Sequence, residues 1–220
     1  MQAVIFDVDG VLVDSEPLFY AHLQLFLVER GVADPTQVSH GALKGLNSLT
    51  MSQLMVDSYA LDIVAEDFSA QHRAAYFEHL SSLEHIPEIP GVTMFVKQLA
   101  KSGHPLAIAS GASQRRIDFF LQKLQLASYF SVIVCGDEVE HPKPAPDIFL
   151  LAAERLGEKP ANCVVVEDAE NGVRAAKAAG MRCIAYGGSV HNTDNLLATD
   201  LVVKDSTALV QALKPGHLPV

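Results

Sequence analysis

Two carboxylates stand one residue apart at the end of an apolar run, in Val4-Ile5-Phe6-Asp7-Val8-Asp9-Gly10. In an extended chain residues i and i+2 share a face, so Asp7 and Asp9 can aim at one centre. Two like charges held side by side are costly unless a cation or a proton-transfer role keeps them there. Taken alone, the pair fits equally well a strand that ends in a solvated acidic turn. Further along the chain come Ser110-Gly111, Lys143 and the acidic pair Glu167-Asp168. Clustered carboxylates suit Mg²⁺, which keeps waters and binds through one or two carboxylates plus a phosphate. The Ser110 hydroxyl, the Gly111 backbone amide and the Lys143 ammonium are donors suited to phosphoryl oxygens. No His or Cys set with zinc spacing competes for a metal.

Each of these residues has an ordinary explanation. A Ser-Gly after a strand is commonly a turn into a helix, and a lysine between prolines is commonly a surface loop. Glu167-Asp168 before a helix could simply complement its dipole. Their weight comes from the elements that carry them. From residue 90 onward, helical and extended patterns alternate. Helices are predicted over residues 91–102, 114–124, 146–156 and 171–179, and strands over 105–110, 132–136, 163–167 and 183–186. A short strand at 201–203 and a helix over 207–213 close the chain. Apolar strands with little alternation, separated by helices, indicate a parallel sheet covered on both faces. The expected fold class is α/β, a Rossmann-like three-layer core. In such a core the reactive groups lie at the carboxyl ends of the strands. Asp7, Asp9, Ser110, Gly111, Lys143, Glu167 and Asp168 all fall at or just beyond such ends.

Between the first strand and the rest, residues 16–85 read as all-helical. Leu18, Ala21, Leu25 and Val28 form one stripe, with Pro17 in the first turn and Gly31 after the end. Helices are also predicted over 49–59 and 68–83, with Gly41 and Gly45 in a loop between helices. The expected domains are therefore a core of residues 1–15 and 86–220 and a helical insertion of residues 16–85.

Composition narrows the partners. The 220-residue chain is 49% hydrophobic and 19% charged, which suits a globular protein with a substantial core. Its net charge of −10 leaves no basic surplus to neutralise nucleic-acid phosphates. No apolar run approaches the ~20 residues that span a bilayer. Cys135, Cys163 and Cys183 sit in separate apolar runs and read as buried thiols in a reducing compartment. With no signal-peptide pattern at the start, the expectation is a cytoplasmic monomer acting on a small molecule, without nucleic-acid or membrane partners.

Four ordered motifs give the chain a resemblance. Asp7-Val8-Asp9-Gly10-Val11-Leu12-Val13-Asp14-Ser15, Ile108-Ala109-Ser110-Gly111, Lys143-Pro144-Ala145-Pro146-Asp147-Ile148-Phe149 and Val166-Glu167-Asp168-Ala169-Glu170-Asn171-Gly172 resemble the four motifs of the haloacid dehalogenase superfamily. Its phosphatase and β-phosphoglucomutase-like group carries a helical cap. The resemblance implies that Asp7 attacks phosphorus and carries an aspartyl-phosphate, while Asp9 protonates the leaving oxygen and then activates water. It implies that Asp7, the Asp9 carbonyl and Asp168 hold Mg²⁺, with Glu167 bound or nearby. It further implies that the cap selects the substrate, a sugar phosphate or related metabolite, with Lys44, Gly45, Asn47 and Arg73 as candidate contacts.

Other activities are weighed against these residues. Dehalogenases and phosphonate hydrolases of the superfamily lack the second aspartate, and Asp9 is present. β-Phosphoglucomutases have a histidine shortly after the first motif and an arginine beyond the cap glycine loop. Phe19 and Ser48 fall at those places, which favours hydrolysis over phosphoryl transfer between sugars. A phospho-receiver switch would carry its aspartate on a middle strand with no helical insertion, and a dead scaffold would not retain the full set.

Overall fold

The computed structural model describes residues 2–43, 46–186 and 199–203, together with 208 and 211. The chain forms two compact units, Met1–Asp14 with Ile86–Val220, and Ser15–His85.

The first unit is built on a parallel sheet. Its strands are β1 (Ala3–Phe6), β2 (Leu106–Ser110), β3 (Val132–Cys135), β4 (Cys163–Glu167), β5 (Arg182–Tyr186) and β6 (Leu201–Val203). They lie in the order β3-β2-β1-β4-β5-β6, with every neighbouring pair parallel. Helices α5 (Val92–Lys101), α6 (Gln114–Lys123), α7 (Asp147–Leu156) and α8 (Glu170–Ala178) cover it. β1, β2 and β4 are buried along their whole length, which is why their sequences are continuous apolar runs. Ala3 and Ile5 of β1 face a core completed by Ile148, Phe149 and Ala152 of α7 and Val173 and Ala176 of α8. Phe6, pointing the other way, meets Phe95 of α5 and Phe130 edge-on at about 6 Å. The chain runs from β1 outward to β3 and then returns to β4 on the far side of β1. The carboxyl ends of β1 and β4 therefore flank the point where strand order reverses, the usual place for a ligand in this architecture.

β1 stops at Phe6, short of the extended stretch through Asp9 that the shared face of Asp7 and Asp9 would need. Asp7 still extends the ladder, its N–H donating to the Val166 carbonyl at 3.0 Å. Beyond it the backbone folds into a tight turn in which the amides of Leu12 and Val13 both donate to the Val8 carbonyl. Gly10 takes a left-handed φ of 75° there. Val13 then bridges Glu88, and the Asp14 amide donates to the Pro87 carbonyl at 2.8 Å. The outgoing and returning connections thus run side by side.

The second unit comprises α1 (Glu16–Val28), α2 (His40–Leu43), α3 (Ser48–Ser58) and α4 (Ala65–Ser82). Leu23, Phe26, Leu27, Leu43, Met51, Met55 and Phe68 form its core. The loop expected around Gly41 is in part the short helix α2, because Leu43 is drawn into that core. The helix expected over 207–213 lies almost wholly outside the described residues.

Candidate active site

Lys143 organises the carboxyl end of the sheet. Its Nζ donates to Asp7 Oδ1 and Glu167 Oε1, each at 2.6 Å, and to the Ala109 carbonyl at 3.1 Å. The ammonium also lies 4.9 Å from the centre of the Phe149 ring. One cation thereby ties together the ends of β1, β2 and β4. Burial works against its charge, but Asp7 and Glu167 outweigh that cost and hold Lys143 well above the usual lysine range. Glu167 is 1% exposed. Its second oxygen accepts from the backbone amides of Asp168 and Ala169 at 2.9 and 3.1 Å. Both oxygens are therefore committed, one to Lys143 and one to the turn into α8. The first turn of α8 closes on this carboxylate so tightly that a Cβ on Gly172 would overlap it.

Burial raises Asp7 to about pH 7; Lys143 opposes the shift, and Glu167 and Asp9 reinforce it. Asp168 is also pushed well above the carboxylate range, by burial first and then by the charges of Glu167, Asp7 and Asp9. Its carboxylate lies against Gly10, where any Cβ would collide with it. Among the described residues, four carboxylates, Asp7, Asp9, Glu167 and Asp168, thus face two cations, Lys143 and Arg116. A hard divalent cation would offset that imbalance, and the oxygen-only donor set suits Mg²⁺. Among the described residues no three His, Cys, Asp or Glu groups are arranged to hold a metal by themselves.

Ser110 ends β2 buried, its Oγ accepting from the Ala112 amide at 3.3 Å, with Gly111 exposed beside it. Asp9 sits in the turn past β1, so strand alternation does not fix its direction. Its Oδ2 instead accepts from Arg116 Nη2 at 2.5 Å. Arg116 was not among the residues singled out from sequence. The signal was there: Arg115 and Arg116 occupy the first turn of α6, where the helix dipole disfavours cations.

The residues of the helical unit are less committed to a site. Lys44 and Gly45 lie outside the described residues. The Asn47 side chain caps α3, accepting from the Thr50 amide at 2.9 Å, and Arg73 is exposed on α4. Ser48 Oγ is 2.7 Å from Ser69 Oγ. Phe19 packs edge-on against Tyr20, His72 and Tyr76.

Residues 4–186 match the profile of the haloacid dehalogenase-like hydrolases, and the chain belongs to that family. It is 35% identical over 188 residues to the phosphorylated carbohydrates phosphatase of Thermotoga maritima, covering 85% of each chain. It is 33% identical to the fructose-1-phosphate phosphatase YqaB of Escherichia coli, covering 82% of this chain and 94% of that one. Among solved structures, a Thermotoga maritima protein provisionally assigned as a β-phosphoglucomutase superposes with a TM-score of 0.81 at 32% identity, over 98% of this chain and all of that one. CbbY of Rhodobacter sphaeroides shares the fold at 23% identity, with a TM-score of 0.83 over the whole of both chains. The enzyme class is that of a phosphoric monoester hydrolase. No helix among the described residues is long and apolar enough to cross a membrane.

Proposed function

We propose that the protein is a Mg²⁺-dependent phosphatase of small phosphorylated metabolites, most of all sugar phosphates, working through an aspartyl-phosphate on Asp7. The observation that carries this reading is the buried Asp7–Lys143–Glu167 cluster at the point where strand order reverses. A carboxylate can attack a phosphate dianion only where cations offset their mutual repulsion. Lys143 is fixed beside Asp7 by Glu167 and the Ala109 carbonyl, so its charge need not reorganise during the reaction. Asp7, Asp168 and the Asp9 carbonyl would hold Mg²⁺, which supplies charge stabilisation to the phosphoryl oxygens when bound. We assign Glu167 to holding Lys143, since both its oxygens are already engaged. Ser110 and the Gly111 amide bind phosphoryl oxygens, and Asp9 moves protons to the leaving oxygen and from water.

The relatives that act on phosphorylated carbohydrates and fructose 1-phosphate support the substrate class. Substrate choice is assigned to the helical unit, and the working form to a cytoplasmic monomer. The likeness to a β-phosphoglucomutase-type structure favours one alternative, transfer between positions of a sugar. Against it, the Ser48 hydroxyl is taken up by Ser69 and Phe19 by ring packing, so neither supplies a distal cation or a histidine. The test is phosphate release from a panel of sugar monophosphates with Mg²⁺ and with EDTA. Mg²⁺-dependent release from several of them is the expected result. Interconversion of glucose 1-phosphate and glucose 6-phosphate without phosphate release would establish the mutase instead.

A further inference from the structure

We propose that Gly136 is a positioning residue for phosphate: its bare Cα lets the end of β3 press against Gly111 and so sets where the Ser110–Gly111 loop presents its donors. The inference rests on the phosphatase reading above, which gives Ser110 and Gly111 to the phosphoryl oxygens.

Strand register brings the two glycines together. Ser110 pairs with Cys135 at the ends of β2 and β3, so Gly111 and Gly136 leave the sheet side by side. The Gly136 amide donates to the Ala112 carbonyl at 3.2 Å. A Cβ on Gly136 would stand 2.7 Å from the Gly111 oxygen and 3.1 Å from both its carbonyl carbon and its Cα. All three are backbone atoms, which cannot swing aside as the tip of a side chain can. Gly136 is not one of the glycines with a left-handed φ, so its missing side chain answers to this contact rather than to backbone freedom. Gly111 is the converse case. It is exposed, and among the described residues a Cβ there would meet nothing within 4 Å.

Which side would yield to a methyl at residue 136 follows from what holds each side. The Cys135 amide donates to Glu138 Oε1 at 2.9 Å, and Glu138 Oε2 accepts from Arg155 Nη2 at 2.6 Å. Arg155 Nη1 also donates to the Ile133 carbonyl at 3.2 Å. The chain on both sides of Gly136 is thereby tied to α7. The Gly111 loop is held by less: the Ala112 amide donates to Ser110 Oγ at 3.3 Å, and the Ala112 carbonyl accepts from Gly136 itself. The added methyl would therefore displace Gly111. Its amide shares the displaced Cα and moves with it, and a hydrogen bond to a phosphoryl oxygen weakens steeply with misalignment. Ala109, whose carbonyl receives Lys143, stays in the β2 ladder opposite Val134. The disturbance should fall on the phosphate donors and spare the lysine.

The test is a nuclear magnetic resonance titration with inorganic phosphate and Mg²⁺ on protein isotopically labelled at glycine, which reads both the affinity and the amides that respond. Wild type, Gly136→Ala and Gly157→Ala would be compared. Gly157 ends α7 away from Lys143, with a left-handed φ of 71° and nothing within 4 Å of its Cβ position among the described residues. Alanine there strains the backbone without touching the loop, so it reports what lost stability alone does. Gly136→Ala should bind phosphate about tenfold or more weakly, since a misplacement near 1 Å can cost about 10²-fold. Its KM for a sugar phosphate should rise in step, while Gly157→Ala should match wild type in both. Undiminished affinity in Gly136→Ala, or an equal loss in the two variants, would overturn the assignment. The wild type alone gives a second reading that no folding defect can obscure. Phosphate should shift the Gly111 and Gly136 amide resonances together, and a Gly136 resonance that stays still while Gly111 moves would also count against the assignment. The expected pattern in a protein that hydrolyses no phosphate ester would support this inference while removing the phosphatase reading.

Discussion

Asp7 and Lys143 meet at 2.6 Å, Oδ1 to Nζ, across 136 residues of chain, with both side chains nearly sealed from water. A buried ion pair of this kind adds little net stability, because desolvation cancels much of the attraction. Breaking it from one side is another matter.

Lys143→Met should therefore cost both stability and catalysis. Asp7 and Glu167 would be left without the cation that joins them, and stripping one partner from a buried pair costs about 3–5 kcal/mol. Protonation of the stranded carboxylates would relieve the strain, so the loss in urea midpoint should shrink as the pH is lowered. Activity should fall by about 10²–10³-fold or more, in the range of a lost preorganised donor. A variant with unchanged kcat/KM would show that Lys143 does not serve the substrate.

Asp7→Asn separates chemistry from folding. The amide oxygen can still accept from Lys143, and the backbone bond to Val166 is unaffected, so the melting temperature should stay close to wild type. Turnover should be undetectable, because an amide cannot replace the attacking carboxylate. Near-normal rates from well-folded Asp7→Asn protein would exclude Asp7 as nucleophile.

The sheet was legible because β1, β2 and β4 are buried on both faces, and continuous apolar runs leave little choice of element. The placement of the candidate site residues was legible for a related reason: strand ends can be located in sequence, and Asp7, Ser110 and Glu167 stand at or just past them. Side-chain direction was less accessible. Asp9 lies past the end of β1, beside the turn at Gly10, and the contact of its Oδ2 with Arg116 is made only by the tertiary fold. The resemblance put Glu167 at or near the metal, and its hydrogen bonds to Lys143 and the α8 turn are visible only in the fold. In the helical unit, apolar stripes located α1, α3 and α4 but not the short α2. They said nothing of short-range capping, which occupies Asn47, or of the Ser48–Ser69 contact.

Gly172→Ala offers a test of the Glu167 assignment without touching a titrating group. Within a helix, Gly to Ala ordinarily stabilises by about 0.5–1 kcal/mol. Here the added methyl would overlap the Glu167 carboxylate. The variant should instead lose about 1–3 kcal/mol, the cost of overpacking. Its kcat/KM should fall as well, because a displaced Glu167 no longer holds Lys143. A Gly172→Ala protein that melts higher than wild type with full activity would show that this close approach carries no constraint.

The helical unit should lose stability in mild acid through His22 and His72. The two residues are 8% and 1% exposed, with His22 Nδ1 3.3 Å from His72 Nε2. Phe19, Phe26, Phe68 and Tyr76 surround His72. Burial, then the charges of His22 and Arg30, lower His72 from 6.5 to about 3. Burial and then His79 lower His22, with Glu29 opposing. A base whose folded pKa lies below its unfolded value binds more protons when unfolded, so stability rises with pH through that interval. The contribution of His72 is thus complete above about 6.5 and is lost as the pH falls towards 3. Each pH unit within that window costs about 1.4 kcal/mol, so roughly 2 kcal/mol should disappear by about pH 5. Melting curves at about pH 7.5 and 5 on wild type and His72→Phe isolate this effect from the carboxylates, which titrate in both proteins. The variant should show a distinctly smaller drop in Tm on acidification. An equal drop in the two proteins would mean that His72 is not kept neutral by the fold.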